Sequence, residues 1–134
     1  MSDRIFVDSN IFIYAHTDLD LQKQSIAQEL LRSKTIFITT QVINEFINAS
    51  RKKFYKDWKE ITKVVEEIIS YTSVETISLI TVKKAIELAA LYRYSYYDSM
   101  IVASALETNC PILYSEDLQD GQKINKTLKI INPF

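Results

Sequence analysis

The sequence is poor in glycine and histidine, with one residue of each, Gly121 and His16, among 134. Loops that cradle phosphates need glycines where the backbone approaches the ligand, so Walker-type and dinucleotide-binding sites are excluded. A Ser-His-Asp mechanism would have to use His16, which lies in a polar stretch with no nucleophile motif nearby. We therefore expect a surface or capping role for His16.

Cysteine is equally scarce, since Cys110 is the only one. A single cysteine cannot form an intrachain disulfide or by itself make a structural zinc site, which fits a reducing cytosol. The basic start and long apolar run of a signal peptide are also missing, because Asp8 interrupts the apolar stretch from Ile5 to Ala15. We expect a cytoplasmic protein with no membrane span.

Neither sign of charge is in excess, with 16 basic and 17 acidic residues and a formal net charge of -1. No global positive field attracts a polyanion, so any nucleic-acid contact must rest on local patches. The length and the 47% hydrophobic content suit one ordinary domain with a single core. We expect one domain over residues 1–134.

What the sequence does contain is an alternation of short β-branched or aromatic runs with longer helical patterns. Strands are predicted at 5–7, 36–39, 74–77, 112–114 and 128–131, and helices at 19–33, 41–53, 58–71, 81–92 and 97–108. Thr17 or Asp18 is the expected cap of the first helix. The alternation predicts an α/β fold, a three-layer α/β/α sandwich with a short, mainly parallel central sheet that binds ligands outside the carboxyl ends of its strands.

Four acidic residues hold special positions in this pattern. Asp8 follows the first strand and Asp117 follows the strand at 112–114, so a parallel sheet brings both to the same edge. The residues three, four and seven positions after Asp98 are all apolar, so Asp98 points along a buried helical stripe. Glu45 borders an apolar helix face. The four carboxylates are therefore expected to converge on one cleft.

Each acid also has a purely structural explanation. Asp8 can form a turn at a strand end, Asp98 and Asp117 can cap helices, and Glu45 can be a solvated rim residue. As a set, however, buried carboxylates repel one another and lose hydration, so positive charge must lie among them.

A divalent cation with oxygen ligands is one source of that charge, and Mg²⁺ commonly uses one or two carboxylates while keeping several waters. Pairing with Lys34, Arg4 or Arg93 is the competing source, although these residues are less regularly placed. A bound metal lowers the pKa of its water and stabilises charge on a phosphoryl group, which suits phosphodiester hydrolysis without a histidine base.

The segment IFVDSNI at 5–11 resembles the opening motif of PIN-domain ribonucleases, which include the VapC toxins of toxin–antitoxin modules. Three further segments resemble the remaining acidic motifs in the same order, NEF at 44–46, YDS at 97–99 and LYSED at 113–117. The resemblance spans nearly the whole chain. It implies Mg²⁺ or Mn²⁺, endonucleolytic cleavage of RNA, frequent homodimers and, for toxins, a cognate antitoxin that blocks the groove.

The resemblance also implies roles for individual residues. Asp8 and Asp98 would be the main metal ligands, Glu45 would hold metal or its water, and Asp117 would bind a second metal or orient water. The supporting residues would be Ser9, Asn10 and Ser115. The last acid remains open among Glu116, Asp117 and Asp120, and Asp117 is chosen by its distance from the strand.

Two segments are candidates for contact with RNA. The basic run of Arg51, Lys52 and Lys53 suits phosphate contacts, although a solvated helix end explains it equally well. Arg93 and Tyr94 belong to a tyrosine-rich segment before Asp98 that suits stacking on unpaired bases. Packing against the core or across a dimer interface is the alternative for that segment.

Two other functions compete with the nuclease. The first is a catalytically idle PIN-like module that acts by protein contact, which the presence of all four acids argues against. The second is another Mg²⁺-dependent phosphotransfer domain. A phosphatase would need a second aspartate two residues after Asp8, where the chain has Asn10, and a receiver would need an acidic pair on the first strand and a lysine beyond a late strand.

Overall fold

Strands and helices alternate along residues 3–134, which are the residues that the computed structural model describes. The helices are α1 (Ser9–Ala15), α2 (Leu21–Ser33), α3 (Thr40–Lys52), α4 (Trp58–Tyr71), α5 (Leu79–Tyr92) and α6 (Tyr96–Glu107). The strands are β1 (Arg4–Val7), β2 (Thr35–Thr39), β3 (Thr72–Glu75), β4 (Ile112–Tyr114), β5 (Lys123–Ile124) and β6 (Leu128–Ile131).

The strands form a single sheet in the order β3-β2-β1-β4-β6-β5. Every pairing is parallel except the one between β5 and β6. In the centre of the sheet, Phe6 of β1 lies opposite Phe37 of β2 and Leu113 of β4. The predicted α/β fold with a short, mainly parallel sheet is confirmed.

The helices form two groups, in which α1 to α4 pack on one another and α5 packs on α6. The chain moves along the sheet from β1 to β2 and β3 and then returns past β1 to β4. Because such crossovers are right-handed, the first group covers one face of the sheet and the second group covers the other. The direction of travel reverses between β1 and β4, and parallel sheets bind ligands at such a switch point.

The core consists of residues that the sequence presents as continuous apolar runs. Ile5, Phe6 and Val7 of β1 are all buried, as expected for a central strand covered on both faces. Helix α6 buries every residue from 99 to 105, so it is an inner helix without a solvent-facing stripe. None of the helices in residues 3–134 combines the length and apolar content needed to cross a bilayer.

The structure corrects several element boundaries. The sequence did not predict α1, because the apolar run from Ile5 to Ala15 combines a strand and a helix without a change of composition. The cap of α2 is Asp20, whose carboxylate accepts from the N–H groups of Gln22 and Lys23 at 3.1 Å each. The predictions of Thr17 or Asp18 as that cap are therefore wrong.

Other boundaries shift by a few residues. Strand β3 lies two residues earlier than the predicted 74–77, and α5 begins two residues before 81, with a capping box between Ser78 and Thr81. Strand β5 has two residues, too few to produce a pattern. His16 ends α1, where its backbone N–H donates to the carbonyl of Phe12 at 3.1 Å, so its capping role is confirmed.

Candidate active site at the carboxyl edge of the sheet

Asp8 lies at the switch point, directly after β1. Its backbone N–H donates to the carbonyl of Tyr114 at 3.0 Å, which joins the ends of β1 and β4. Its carboxylate accepts from the N–H of Ser9 at 2.7 Å, as the N-cap of α1, and from the hydroxyl of Ser115 at 2.8 Å. The residue is 4% exposed. Asp8 is therefore a buried carboxylate held by two donors at the point where ligands bind.

The surroundings of Asp8 favour its protonated form. Burial raises the pKa of Asp8 from 3.8 to about 7, against the lowering effect of the hydrogen bonds from Ser115 and Ser9. The negative charges of Glu45 and Asp117 make smaller contributions to the same rise. Among residues 3–134, none of these three acids forms an ion pair. Three carboxyl groups thus interact at this site without an ion pair from any side chain of the described residues.

Glu45 reaches the site from α3. Its side chain is half-buried and accepts from the hydroxyl of Ser9 at 3.1 Å and from the amide of Gln41 at 3.0 Å. Gln41 was not among the predicted site residues, although it lies four positions before Glu45 on the same helix face, which is a detectable signal. Ser9, the residue after Asp8, thus connects the start of α1 to Glu45 on α3.

Asp117 reaches the site from the loop after β4. Its carboxylate accepts from the amide of Asn10 at 3.1 Å, and its backbone N–H donates to the hydroxyl of Ser115 at 3.2 Å. Since Ser115 also donates to Asp8, this hydroxyl connects the two acids. The predicted supporting residues Ser9, Asn10 and Ser115 therefore all contact one of the predicted acids.

The other two acids of that loop have different partners. Glu116 forms an ion pair with Lys23 and accepts from the hydroxyl of Tyr14 at 2.7 Å. Asp120 accepts from the backbone N–H of Asn132 at 2.9 Å. Of the three acids left open by the sequence, Asp117 is the one whose charge acts on Asp8.

Asp98 is the third residue of α6 and is half-buried. Its backbone N–H donates to the hydroxyl of Ser95 at 3.2 Å, so Ser95 is the N-cap and the suggestion that Asp98 caps its own helix is wrong. Because α6 leads directly into β4, its first turn lies at the carboxyl edge of the sheet. No hydrogen bond within residues 3–134 joins Asp98 to the other three acids.

The donor chemistry of the site fits a hard divalent cation. Its side chains offer carboxylate, amide and hydroxyl oxygens, and the Oδ1 atom of Asn10 is buried without a hydrogen-bond partner in the described residues. The same residues contain no group of three or more His, Cys, Asp or Glu side chains that could hold a metal ion. Mg²⁺ needs only one or two carboxylates and keeps several waters, so the oxygen donors of this site suit it.

A groove of about 420 Å³ opens beside these residues. Its walls include Ser9, Asn10, Glu45, Asp117 and Lys53. The other two residues of the predicted basic run, Arg51 and Lys52, are exposed in the last turn of α3.

The second predicted RNA segment lies outside the walls of this groove. Arg93 is exposed and ends α5 in a left-handed conformation with φ 60°. Tyr94 is half-buried, packs against the core, and donates its hydroxyl to the side chain of Gln122. Its ring also stacks on Tyr92, with centroids 5.7 Å apart. These contacts give Tyr94 a packing role within the domain.

Comparison with known proteins gives a consistent result. The sequence model of the PIN domain matches residues 5–120. A search of curated protein sequences gave no significant match.

Several solved structures share the fold. The Mycobacterium tuberculosis toxin VapC20, described as cleaving the sarcin-ricin loop, aligns with a TM-score of 0.70 at 16% identity over 84% of this chain and 91% of its own. A Klebsiella pneumoniae toxin–antitoxin complex aligns with a TM-score of 0.71 at 18% identity over 97% and 98%. Rickettsia felis VapBC2, bound to a DNA fragment from its promoter, aligns with a TM-score of 0.70 at 17% identity over 96% and 99%.

Proposed function

This chain belongs to the PIN domain family, and we propose on that premise that it is an endoribonuclease that depends on Mg²⁺ or Mn²⁺. The reaction is hydrolysis of RNA phosphodiester bonds. The observation that carries the proposal is the buried carboxylate of Asp8, which lies at the switch point of the sheet beside the charges of Glu45 and Asp117. Such a site gains stability when a cation binds.

The proposed roles of the acids are those that the resemblance to PIN-domain ribonucleases implies. Asp8 and Asp98 are the proposed main ligands, Glu45 holds the metal or its water, and Asp117 serves a second metal or orients water. When bound, a divalent cation lowers the pKa of water and stabilises charge on the phosphoryl group. The serines at positions 9 and 115 and Asn10 orient the carboxylates through the hydrogen bonds described above.

Asp8 must lose its proton before it can bind a metal. Since its pKa is raised to about 7, the protonated form predominates below that pH and competes with the metal. Cleavage is therefore expected to rise as the pH increases through about 7.

We further propose that the chain is the toxin of a toxin–antitoxin pair, held by a cognate antitoxin protein and paired as a homodimer. The support for the antitoxin is the shared fold, because the Klebsiella pneumoniae structure is a toxin–antitoxin complex, and the homodimer is what the family resemblance implies. A toxin of this kind would be inactive in the complex and active when free.

The test is cleavage of single-stranded RNA by the purified protein. We expect turnover with Mg²⁺ or Mn²⁺, none with a chelator, and none in an Asp8→Asn, Asp98→Asn double variant that keeps its circular dichroism spectrum. Asp18→Asn, which removes an exposed acid outside the site, is the matched control and should keep full activity. Turnover by the folded double variant would refute the proposed site, and no turnover with either metal would favour a binding-only protein.

A further inference from the structure

The segment from the end of α3 to the start of α4 is the most positively charged part of the chain. Residues 51–59 contain five basic residues, Arg51, Lys52, Lys53, Lys56 and Lys59, and one acidic residue, Asp57. That acid is already used as the N-cap of α4, where its carboxylate accepts from the N–H of Glu60 at 2.8 Å. In a protein whose formal net charge is -1, this is a strong local patch.

Two aromatic rings are exposed within the same segment. Tyr55 is 84% exposed and Trp58 is 58% exposed. Tyr55 also has a left-handed backbone with φ 53°, a conformation that glycine adopts freely and that is unfavourable for a bulky residue. Neither packing nor backbone preference accounts for a tyrosine at this position, so its ring is available for a ligand.

Arg51 contacts both the Trp58 ring and the backbone of the same segment. Its guanidinium carbon lies 5.0 Å from the centroid of the Trp58 ring, and its Nη1 donates to the carbonyl of Lys56 at 3.1 Å. These contacts hold the residues before α4 against the end of α3. They also fix the Trp58 ring with one face toward Arg51. We use the name basic–aromatic platform for Arg51, Tyr55 and Trp58 together with the lysines of the same segment, Lys52, Lys53, Lys56 and Lys59.

The platform is continuous with the candidate active site. Lys53 and Phe54, from the same connection, line the groove that also contains Glu45 and Asp117. A strand that lies on the platform can therefore enter the groove past Lys53, with its phosphates near the lysines.

We propose that the basic–aromatic platform binds unpaired bases of single-stranded RNA, stacked on Tyr55 and Trp58, and directs the strand into the groove. The inference rests on the proposed ribonuclease function. Exposed rings with surrounding cations suit single strands, because every unpaired base offers a face for stacking, whereas the bases of a duplex are already stacked and paired. The platform thereby selects single-stranded over double-stranded substrate.

Trp58 is the only tryptophan, so its fluorescence reports on the platform alone. The experiment uses the Asp8→Asn variant, which on the proposed function should bind RNA without cleaving it, and a single-stranded RNA of about 12 nucleotides without self-complementarity. We expect quenching of Trp58 emission by this strand and at least about tenfold weaker binding of the same strand annealed to its complement.

Substitutions separate stacking from structural effects. Tyr55→Gly relieves an unfavourable backbone, so it should keep or raise the Tm while weakening single-strand binding by about 5- to 100-fold. Asn125→Gly is the matched control, because Asn125 is exposed and also has a left-handed backbone, with φ 51°, outside the platform. It should leave RNA binding unchanged. Trp58→Leu, followed by anisotropy of labelled RNA, should weaken binding to a similar extent as Tyr55→Gly.

Two results would overturn the proposal and leave the ribonuclease function intact. One is cleavage by the wild-type protein with equal RNA affinities in the parent, Tyr55→Gly and Trp58→Leu proteins. The other is equal affinity for single-stranded and duplex RNA, which would indicate charge alone. No RNA binding at low salt together with no cleavage by wild type would overturn both proposals.

Discussion

Asp8, buried at the edge of the sheet, and Glu116, in the wall of the adjoining groove, are two acids with opposite surroundings. Burial raises the pKa of both, but for Glu116 the hydrogen bonds from Lys23 and Tyr14 outweigh burial and bring its pKa below the ordinary value. For Asp8 the neighbouring charges are negative, and its pKa rises to about 7. The difference lies first in burial, which is almost complete for Asp8 and partial for Glu116, and then in the partners, because Glu116 has a cation and Asp8 has two nearby carboxylates.

Glu116 has a cationic partner within the chain, and Asp8 has none among the described residues. Lys23 lies 4.8 Å from the centroid of the Tyr14 ring, and that ring packs edge-to-face on Phe134 at 4.9 Å, so Glu116 belongs to a complete cluster. Asp8 has no cationic partner among the described residues, so a cation from outside the chain would be needed to offset its charge once it is ionised. A buried carboxylate without a cationic partner in the folded chain is a candidate binding site. A carboxylate paired with a cation of the chain is more typical of a structural role.

The largest expected effect is the difference in cleavage between substitutions of the two acids. Asp8→Asn should reduce the rate at least about 1,000-fold, because a metal ligand supplies several kcal/mol of transition-state stabilisation. Glu116→Gln should change the rate less than about tenfold. Initial rates on one RNA substrate with Mn²⁺ measure both. Comparable losses in two folded variants would contradict the distinction.

The next effect is on stability in the absence of divalent metal. Between its ordinary pKa of 3.8 and its raised pKa of about 7, Asp8 keeps a proton in the folded protein that it loses in the unfolded chain. The free energy of unfolding therefore falls as the pH rises through this window, by up to about 4 kcal/mol. Asp8→Asn removes this loss, so the variant should be more stable than wild type at about pH 8.

Urea unfolding of both proteins with a chelator, from about pH 4 to pH 8, measures this effect. The curves of free energy against pH should diverge as the pH increases, with Asp8→Asn above wild type. Parallel curves would show that Asp8 is not protonated preferentially in the folded state.

The smallest effect concerns Glu116, the acid with the cationic partner. Lys23→Met leaves Glu116 without its cation and should lower the Tm slightly, because the pair is partly exposed and screened by solvent. Adding Glu116→Gln to Lys23→Met should recover the Tm, since no unpaired charge then remains. Thermal unfolding of the two single variants and the double variant measures the coupling. Additive losses would show that the two side chains act independently.

The sequence predicted most elements of the fold because their patterns are local. The β-branched and aromatic runs predicted β1, β2, β4 and β6, and helical spacing predicted α2 to α6. Helix α1 was missed because Asp8 is at once the end of a strand and the cap of a seven-residue helix within one apolar run. Short elements within uniform composition carry too little periodicity to be separated.

The sequence also predicted the arrangement of the candidate acids in part. The positions of Asp8 and Asp117 after strands predicted their shared edge, and the charge of Asp117 does act on Asp8. The part played by Asp98 in metal binding stays a prediction. The ion pair of Lys23 with Glu116 had no local signal, since the two residues are 93 positions apart.

By itself, the sequence determined which residue types are available and which segments become strands and helices, because periodicity and strand-end positions are properties of neighbours along the chain. Only the tertiary structure decided which acid has a cation and which has none. Ser115 donates to Asp8 across 107 positions, and the burial that raises the pKa of Asp8 depends on packing of the whole sheet edge. Desolvation and charge pairing are set by neighbours in space, so they emerge only when the chain is folded.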